Sequence, residues 1–225
     1  MNPQYKPLGD RAVRIEFANP FGTPDPAVNR LIRAFCLTLA KSALPGVVEW
    51  VPAYATVAVM YDPLSVSFDQ LVARLQEVER RSIAAKLPPP RTIAIPVVYG
   101  GEFGEDLPEV ATSCNLTEED VVRLHESEAY LVYMLGFVPG FPYLGGLNPR
   151  LATERRAIPR TAVPPGSVGL AGNQTGVYPF ATPGGWNIIG RTNAKLYDPA
   201  REPAALLVPG DYVRFVAADK LEDTR

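Results

Sequence analysis

Hydrophobic positions in the first hundred residues switch between the two-residue period of a strand and the longer period of a helix. The segment at 11–17 alternates apolar and polar positions, which predicts a half-buried strand. Asp25 followed by Pro26 is typical of a helix start, and helical spacing then continues to about Leu44. The same reasoning predicts strands at 47–51 and 55–61, a helix that begins at a capping box of Ser67 and Gln70, and a strand at 92–98.

The predicted order β-α-β-β-α-β corresponds to the ferredoxin-like split βαβ arrangement, an antiparallel sheet with two helices on one side. We therefore expect an α+β ferredoxin-like domain over residues 1–98, with the strand at 92–98 as its last strand. Beyond it, short apolar segments lie between Gly/Pro turns, which predicts a mainly-β barrel or sandwich over residues 99–225. A short helix is expected at 117–125.

Composition and charge exclude several classes of protein. The chain has 225 residues with a formal net charge of −2, and no basic block provides the usual footprint of nucleic-acid binding. No run of about 18 apolar residues occurs, and the N-terminus lacks the apolar core of a signal peptide, so we expect a cytoplasmic protein without a membrane span. Cys36 and Cys114 are expected to be free thiols. With one histidine and two scattered cysteines, no metal site is expected.

Glycine, proline and aromatic residues are concentrated together between Gly136 and Thr192. Large rings favour burial, and glycines permit close approaches of the backbone, so this composition indicates an ordered surface and not a linker. Three side chains with binding chemistry are set into the segment, namely Arg160, Gln174 and Arg191. We therefore interpret the segment as the part of the chain that forms the functional site.

Each polar candidate has both a functional and a structural interpretation. His125 is the only histidine and its ordinary pKa lies near neutrality, but a histidine at a helix end also stabilises the helix dipole. Gln174 can donate to and accept from an amide, or it can cap a loop. Arg191 can bind an anion bidentately, or it can hold carbonyl groups of neighbouring turns. Tyr178 is more typical of a wall or core position than of an acid.

Two familiar catalytic motifs are matched only superficially. The segment Gly185–Thr192 has nearly Walker A spacing, but Arg191 replaces the lysine, bulky residues occupy the loop and no helix is predicted after it. In Pro165–Gly169 the first glycine of a nucleophile elbow is displaced by one residue, so Ser167 is expected to be a turn residue. We therefore predict neither a P-loop nor a serine nucleophile.

Three stretches carry a specific resemblance to a known family: GFVPGFPYLGGL at 136–147, IPRTAVPPGSVGLAGNQTGVYPFATPGGWNIIGRT at 158–192 and PGDYVRF at 209–215. Together with Gly9–Ala12, they resemble the family of 5-oxoprolinase B subunits, also known as the allophanate hydrolase subunit 1 or Kip-type kinase inhibitor family. The resemblance spans nearly the whole chain. It implies an N-terminal α/β domain followed by a cyclophilin-like β-barrel domain.

The resemblance also implies an activity and partners. Members of the family pair with a second cyclophilin-like protein, the C subunit of 5-oxoprolinase. Together with the A subunit they open 5-oxo-L-proline, a cyclic amide, to L-glutamate in an ATP-dependent reaction. No tightly bound cofactor is implied, and ATP is used by the complex.

Two alternatives follow from other members of the same family. Related domains occur in biotin-dependent urea carboxylases, and one member inhibits a histidine kinase. A component of a urea- or allophanate-directed enzyme is therefore one alternative, and a non-catalytic inhibitor of a histidine kinase is the other.

Under the enzyme hypothesis, residue chemistry suggests a role for each candidate. We predict that His125 is the acid or base and that Gln174 binds the amide or the developing oxyanion. The missing P-loop fits a division of labour in which a partner protein performs the nucleotide chemistry. The remaining predicted substrate- or anion-binding groups are Arg160, Arg191, Tyr178 and the backbone amides of Gly184 and Gly185.

Overall fold

The computed structural model of the protein describes residues 3–18 and 24–221. The chain divides into two compact units, Met1–Pro89 and Pro90–Arg225. No helix among the described residues is long and apolar enough to cross a membrane, and no cluster of acidic, histidine and cysteine side chains in those ranges is arranged to hold a metal ion. Cys36 and Cys114 are free thiols, as predicted.

The first unit is a four-stranded sheet with two helices. Its elements in chain order are β1 (Gln4–Pro7), β2 (Ala12–Glu16), α1 (Pro26–Ser42), β3 (Val47–Pro52), β4 (Thr56–Tyr61) and α2 (Phe68–Ser82). The strands lie in the order β1-β2-β4-β3, and every neighbouring pair is antiparallel. The predicted elements up to the end of α2 therefore exist, and β1 is an additional strand at the edge of the sheet.

Both helices of the first unit begin with the caps that the sequence predicts. The Asp25 side chain accepts a hydrogen bond of 2.7 Å from the amide of Ala27. Ser67 and Gln70 form the two reciprocal bonds of a capping box at the start of α2. The core between the helices and the sheet includes Ile15, Ile32, Phe35, Val57, Val59, Leu71 and Leu75.

Replacing Ser67 by alanine removes the acceptor for the amide of Gln70. We expect the free energy of unfolding of the first unit to fall by about 1 kcal/mol, the usual cost of losing a helix N-cap. Urea denaturation followed by circular dichroism measures this loss. Ser67→Asp keeps an acceptor and serves as the control, so equal losses in the two variants would contradict the capping role.

The second unit is a closed seven-stranded barrel with the strand order β10-β7-β6-β13-β5-β12-β9. Its elements are β5 (Thr92–Tyr99), α3 (Leu107–Ser113), α4 (Glu118–Glu126), β6 (Tyr130–Leu135), β7 (Pro142–Gly145), β8 (Arg160–Val163), β9 (Ser167–Ala171), β10 (Gln174–Val177), β11 (Thr182–Gly184), β12 (Asn187–Arg191) and β13 (Tyr212–Ala217). Strands β8 and β11 form a separate two-stranded sheet. The predicted mainly-β barrel is therefore confirmed, whereas its cyclophilin-like topology stays a prediction.

The strand predicted at 92–98 exists, but its predicted sheet is wrong. As β5 it pairs in parallel with β13 and antiparallel with β12, and Ile95 and Val97 point into the barrel core. In the first unit, β1 occupies the edge beside β2, with Gln4 opposite Glu16. The strand at 92–98 is therefore not part of the first sheet, and the predicted β-α-β-β-α-β domain that ends with it is not formed. An alternating pattern specifies a strand with one buried face but does not specify which sheet buries that face.

Helix α4 positions the only histidine. The Thr117 side chain accepts a hydrogen bond of 3.1 Å from the amide of Asp120, which caps the helix as predicted. The helix ends at Glu126, and its inward face buries Val121 and His125 completely. The histidine at the helix end therefore faces the barrel core and not the surface.

Candidate functional site

An aromatic layer covers one outer face of the barrel. Along β9, Val168 and Leu170 point into the barrel core, so Ala171 lies on the opposite face, as strand alternation requires. Ala171 belongs there to a separate apolar group, which we call the outer cluster. Its members are Phe141, Val163, Ala171, Tyr178, Trp186 and Ile188.

The outer cluster brings together rings that are distant in the sequence. The ring centroid of Phe141 lies 5.3 Å from that of Tyr178 and 5.6 Å from that of Trp186, and both contacts are edge-to-face. Gly176 on β10 makes room for them, because a Cβ there would lie 3.0 Å from the Trp186 ring and 3.2 Å from the Phe141 ring. The predicted burial of the rings in this glycine-rich segment is therefore confirmed for Phe141, Tyr178 and Trp186. It is wrong for Phe137 and Phe180, which are 60% and 40% exposed.

Four of the predicted site residues meet beside the outer cluster. Gly184 on β11 lies opposite Arg160 on β8, and a Cβ at Gly184 would be 2.5 Å from the Tyr178 hydroxyl. The Tyr178 oxygen accepts a hydrogen bond from the amide of Trp186, and burial raises the pKa of this hydroxyl, which stays neutral and able to donate. The carbonyl of Gly185 accepts a 2.8 Å bond from the amide of Arg156. Tyr178 is itself buried, so it forms the wall beneath Gly184.

Gln174 lies on the same outer face. It is the first residue of β10 and pairs in register with Ala171 of the outer cluster. The next residue, Thr175, points into the barrel, so alternation directs Gln174 outwards. The side chain is half-buried, which leaves it partly accessible at the margin of the cluster.

Arg160 is held by protein carboxylates. Its Nη2 lies 2.8 Å from Asp106 Oδ1 and 3.0 Å from Glu105 Oε1. The hydrogen bond to Asp106 raises the pKa of the guanidinium, which therefore stays charged. Arg156 Nη1 lies 2.5 Å from the same Asp106 oxygen. The predicted anion-binding arginine thus belongs to a group of two guanidinium ions around one buried carboxylate.

The sequence analysis did not predict the carboxylate of Asp106 or the two arginines Arg155 and Arg156 as parts of the site. Arg155 is exposed, and its charge offsets part of the increase that burial causes in the pKa values of Tyr143 and Tyr178. It therefore lies on the same side of the barrel as both hydroxyl groups. The group of three arginines at 155, 156 and 160 is a visible signal in the sequence. Asp106 carries no such signal in the sequence, because an aspartate before Leu-Pro is typical of a simple helix cap.

The loop that follows β6 flanks the outer cluster with an exposed aromatic residue. Phe137 has a φ of +65° and is 60% exposed, while its ring contacts Phe141 at 5.6 Å between centroids. The amide of Val138 donates to the carbonyl of Gly136 at 2.7 Å, which closes a three-residue turn around Phe137. Left-handed backbone at a bulky residue is strained, and strain of this kind clusters at functional sites.

His125 does not lie at this site. Thr175 donates to the Gly169 carbonyl at 3.2 Å, so its oxygen accepts from His125 Nε2 at 2.9 Å, and Nδ1 accepts from the Tyr99 hydroxyl at 2.8 Å. The ring is fully buried and stacks on Phe215 with centroids 4.5 Å apart. Burial lowers its pKa to about 3.

This geometry corrects the catalytic interpretation of His125. Both ring nitrogens are occupied by protein hydroxyl groups, and none of the side chain reaches solvent. An imidazole with a pKa near 3 is also a poor base at neutral pH. We therefore assign His125 to the barrel core and leave it out of the functional site.

Arg191 is not one of the residues of the outer cluster. It ends β12, pairs in register with Ser167, and its guanidinium lies 5.3 Å from the centroid of the Phe103 ring. This contact is a cation–π interaction within the fold. It does not join Arg191 to Arg160 or Gln174, so the anion-binding role of Arg191 stays a prediction.

The groups on the outer face can bind a small molecule that carries a carboxylate and an amide. Arg155 and the accessible part of Arg160 provide positive charge, and Gln174 provides an amide. Tyr143 is half-buried, and its neutral hydroxyl can donate. A guanidinium fork suits carboxylate or phosphate, and an amide side chain complements a lactam in both donor and acceptor.

Sequence comparison first identifies the class of domain. The model of the family described as carboxyltransferase domain, subdomain C and D, matches residues 3–207. More particularly, the chain is 41% identical over 223 residues to the 5-oxoprolinase B subunit of Bacillus subtilis (strain 168), covering 95% of this chain and 92% of that protein. It is 53% identical over 174 residues to the protein of the same name from Escherichia coli O157:H7, covering 77% and 79%. The chain therefore belongs to the family of 5-oxoprolinase B subunits, as its motifs predict.

Solved structures share the fold. The crystal structure of TTHA0988 superposes with a TM-score of 0.81 at 40% identity, covering 93% of this chain and 40% of that one. Protein PH0987 from Pyrococcus horikoshii matches with a TM-score of 0.57 at 41% identity, covering 96% and 98%. The urea amidolyase of K. lactis matches with a TM-score of 0.74 at 19% identity, which shows a common fold alone. This chain thus corresponds to about two fifths of TTHA0988 and to nearly all of PH0987.

Proposed function

We propose that the protein is the B subunit of a 5-oxoprolinase that opens 5-oxo-L-proline to L-glutamate with hydrolysis of ATP, in a complex with the A and C subunits. The observation that carries this proposal is the identity of 41–53% to three proteins named as B subunits of 5-oxoprolinase. The residues beside the outer cluster support it, because Arg160, Gln174 and Tyr143 offer guanidinium, amide and hydroxyl groups there. The cyclophilin-like description of the barrel belongs to the same proposal.

The reaction explains why such groups are needed. Amide resonance makes the carbonyl carbon of a five-membered lactam a poor electrophile, and transfer of a phosphoryl group to its oxygen activates it towards water. Water then attacks the activated carbon, inorganic phosphate leaves with the former carbonyl oxygen, and the ring C–N bond breaks to give the amine and the new carboxylate. The protein must hold the substrate carboxylate and stabilise the negative charge that develops on oxygen in this step. In our proposal Arg160 and Arg155 bind anionic groups, and Gln174 binds the lactam amide. Nucleotide chemistry belongs mainly to a partner protein, and His125 takes no part in the reaction.

Reconstitution tests the proposal. The chain is combined with the A and C subunits, and release of phosphate from ATP is measured with and without 5-oxo-L-proline. We expect hydrolysis that depends on the substrate and on all three proteins. A complete complex without 5-oxo-L-proline-dependent hydrolysis would refute the proposal.

Two further arms of the same experiment test the alternatives. The urea amidolyase of Lachancea kluyveri is 27% identical over 247 residues, covering 97% of this chain and 13% of that protein. Urea and allophanate are therefore assayed in place of 5-oxo-L-proline. The isolated chain is also tested for suppression of histidine-kinase autophosphorylation. Such suppression, together with an inactive complex, would favour the alternative of a non-catalytic histidine-kinase inhibitor.

A further inference from the structure

Asp106 is a buried carboxylate whose two oxygens are both engaged. Its side chain is only 4% exposed. Oδ1 accepts from Arg156 Nη1 at 2.5 Å and from Arg160 Nη2 at 2.8 Å, and Oδ2 accepts from the amide of Ile188 at 2.6 Å. Hydrogen bonds to a charged group are the stronger ones, and three of them converge here.

The backbone fixes Asp106 on the barrel. It stands at the N-cap position of α3, but its side chain makes no capping bond to that helix. Its own amide donates to the carbonyl of Ile188 at 3.0 Å, while its carboxylate accepts from the amide of Ile188. A Cβ at Gly104 would overlap the carbonyl of Ile189, so the preceding segment lies flat against β12. These contacts hold the carboxylate in a fixed orientation, directed away from α3 and towards Arg156 and Arg160.

Arg160 keeps binding capacity after these contacts. Glu105 and Asp106 both bind its Nη2, whereas its Nη1 is buried and has no hydrogen-bond partner among the residues that the structure describes. Glu105 is 63% exposed, so water screens its charge. Two buried or half-buried guanidinium ions thus face one buried carboxylate. A second exposed carboxylate, Glu109, lies 3.7 Å from Arg156 and is 72% exposed, so water screens its charge as well. Arg160 lies close enough to Tyr178 for its charge to act on the Tyr178 hydroxyl.

We propose that Asp106 is a positioning residue that holds Arg160 for a carboxylate or phosphate group of the substrate bound at the outer cluster. The inference rests on the proposed function and deepens it, because it names the residue that fixes the anion-binding group. Arginine is a long side chain with many rotamers, and one that is already held in place loses less freedom when it binds an anion. Asp106 contacts no substrate and acts through Arg160.

The test uses the complex reconstituted with the A and C subunits. In Asp106→Asn the carboxylate is lost, and we expect the KM for 5-oxo-L-proline to rise about tenfold, the effect of weakening one charged contact in binding. The KM for ATP and kcat are expected to stay within about twofold, because the lost contact acts on binding of the organic substrate. A purely structural role would instead lower the amount of folded complex and leave this KM unchanged.

Asp211 provides a matched control. It is also a buried carboxylate, 4% exposed, that accepts from Arg91 Nε at 3.1 Å and from the amide of Val208 at 2.9 Å. It stands directly before β13, and these partners lie outside the outer cluster. We expect Asp211→Asn to lower the melting temperature as Asp106→Asn does, while the KM for 5-oxo-L-proline keeps its wild-type value.

A double-mutant cycle shows whether Asp106 acts through Arg160. Because the two residues share one interaction, adding Asp106→Asn to Arg160→Gln is expected to raise KM less than about twofold beyond Arg160→Gln alone. Where Asp106→Asn does not assemble, Asp106→Glu keeps the charge but displaces it by one methylene, and the same rise in KM is expected. A folded variant with wild-type KM, or additive effects in the cycle, overturns the inference. An inactive wild-type complex overturns the proposed function itself.

Discussion

Replacing His125 by alanine is expected to lower the free energy of unfolding of the second unit by about 3–5 kcal/mol. The imidazole is fully buried, stacks on Phe215 and bridges the hydroxyl groups of Tyr99 and Thr175. Alanine leaves a cavity in the barrel core and leaves both hydroxyl groups without this partner. Urea denaturation of wild type and variant, followed by far-UV circular dichroism, measures the loss.

Two milder variants separate the hydrogen bonds from the packing. Tyr99→Phe and Thr175→Val each remove one bond to the imidazole while nearly keeping volume. Tyr99→Phe is expected to cost about 1 kcal/mol, and Thr175→Val about 2 kcal/mol because it also removes the bond to the Gly169 carbonyl. Their effects are smaller because His125 still fills its space. A His125→Ala protein with wild-type stability but no turnover in the reconstituted complex would contradict the core assignment and restore the catalytic prediction.

Local signals predict most of the elements but not all of their partners. The caps at Asp25 and Ser67 act between residues two or three positions apart, so they can be recognised in the sequence. The strand at 92–98 is predicted at its correct position, yet it pairs with β13, whose residues lie 120 positions further along the chain. Pairing at this separation depends on the whole topology, and the alternating pattern would suit either sheet.

The site shows the same limit at the level of side chains. The rings of Phe141, Tyr178 and Trp186 are predicted to be buried because large aromatic side chains in a glycine-rich segment need packing partners. The catalytic interpretation of His125 fails because it assumes the pKa of an exposed imidazole, whereas burial is decided by tertiary structure. Asp106 binds Arg156 and Arg160 from 50 and 54 positions away, and no short motif encodes such a contact.

Acidification should destabilise the protein through His125 in a defined range of pH. Burial lowers the pKa of the folded imidazole to about 3, against an ordinary value near 6.5 in the unfolded chain. Above pH 6.5 both states are neutral, and the stabilisation is fully present. Between pH 6.5 and about 3 the unfolded chain binds a proton that the folded state excludes, so the free energy of unfolding falls by about 1.4 kcal/mol per pH unit. Below about pH 3 both states bind the proton, and His125 no longer makes the free energy of unfolding depend on pH.

The variant His125→Gln isolates this effect, because it removes the titrating ring and leaves the carboxylates of the protein unchanged. We expect the variant to be less stable than wild type at pH 7. As the pH falls to 4.5 the difference between them should shrink by about 2–3 kcal/mol, since only in wild type does the unfolded chain gain a proton at this position. Urea denaturation at pH 7, 6, 5 and 4.5 measures both proteins. A constant difference would mean that the folded imidazole takes up the proton as readily as the unfolded one, which would require the ring to be accessible to solvent and reopen its candidacy as an acid or base.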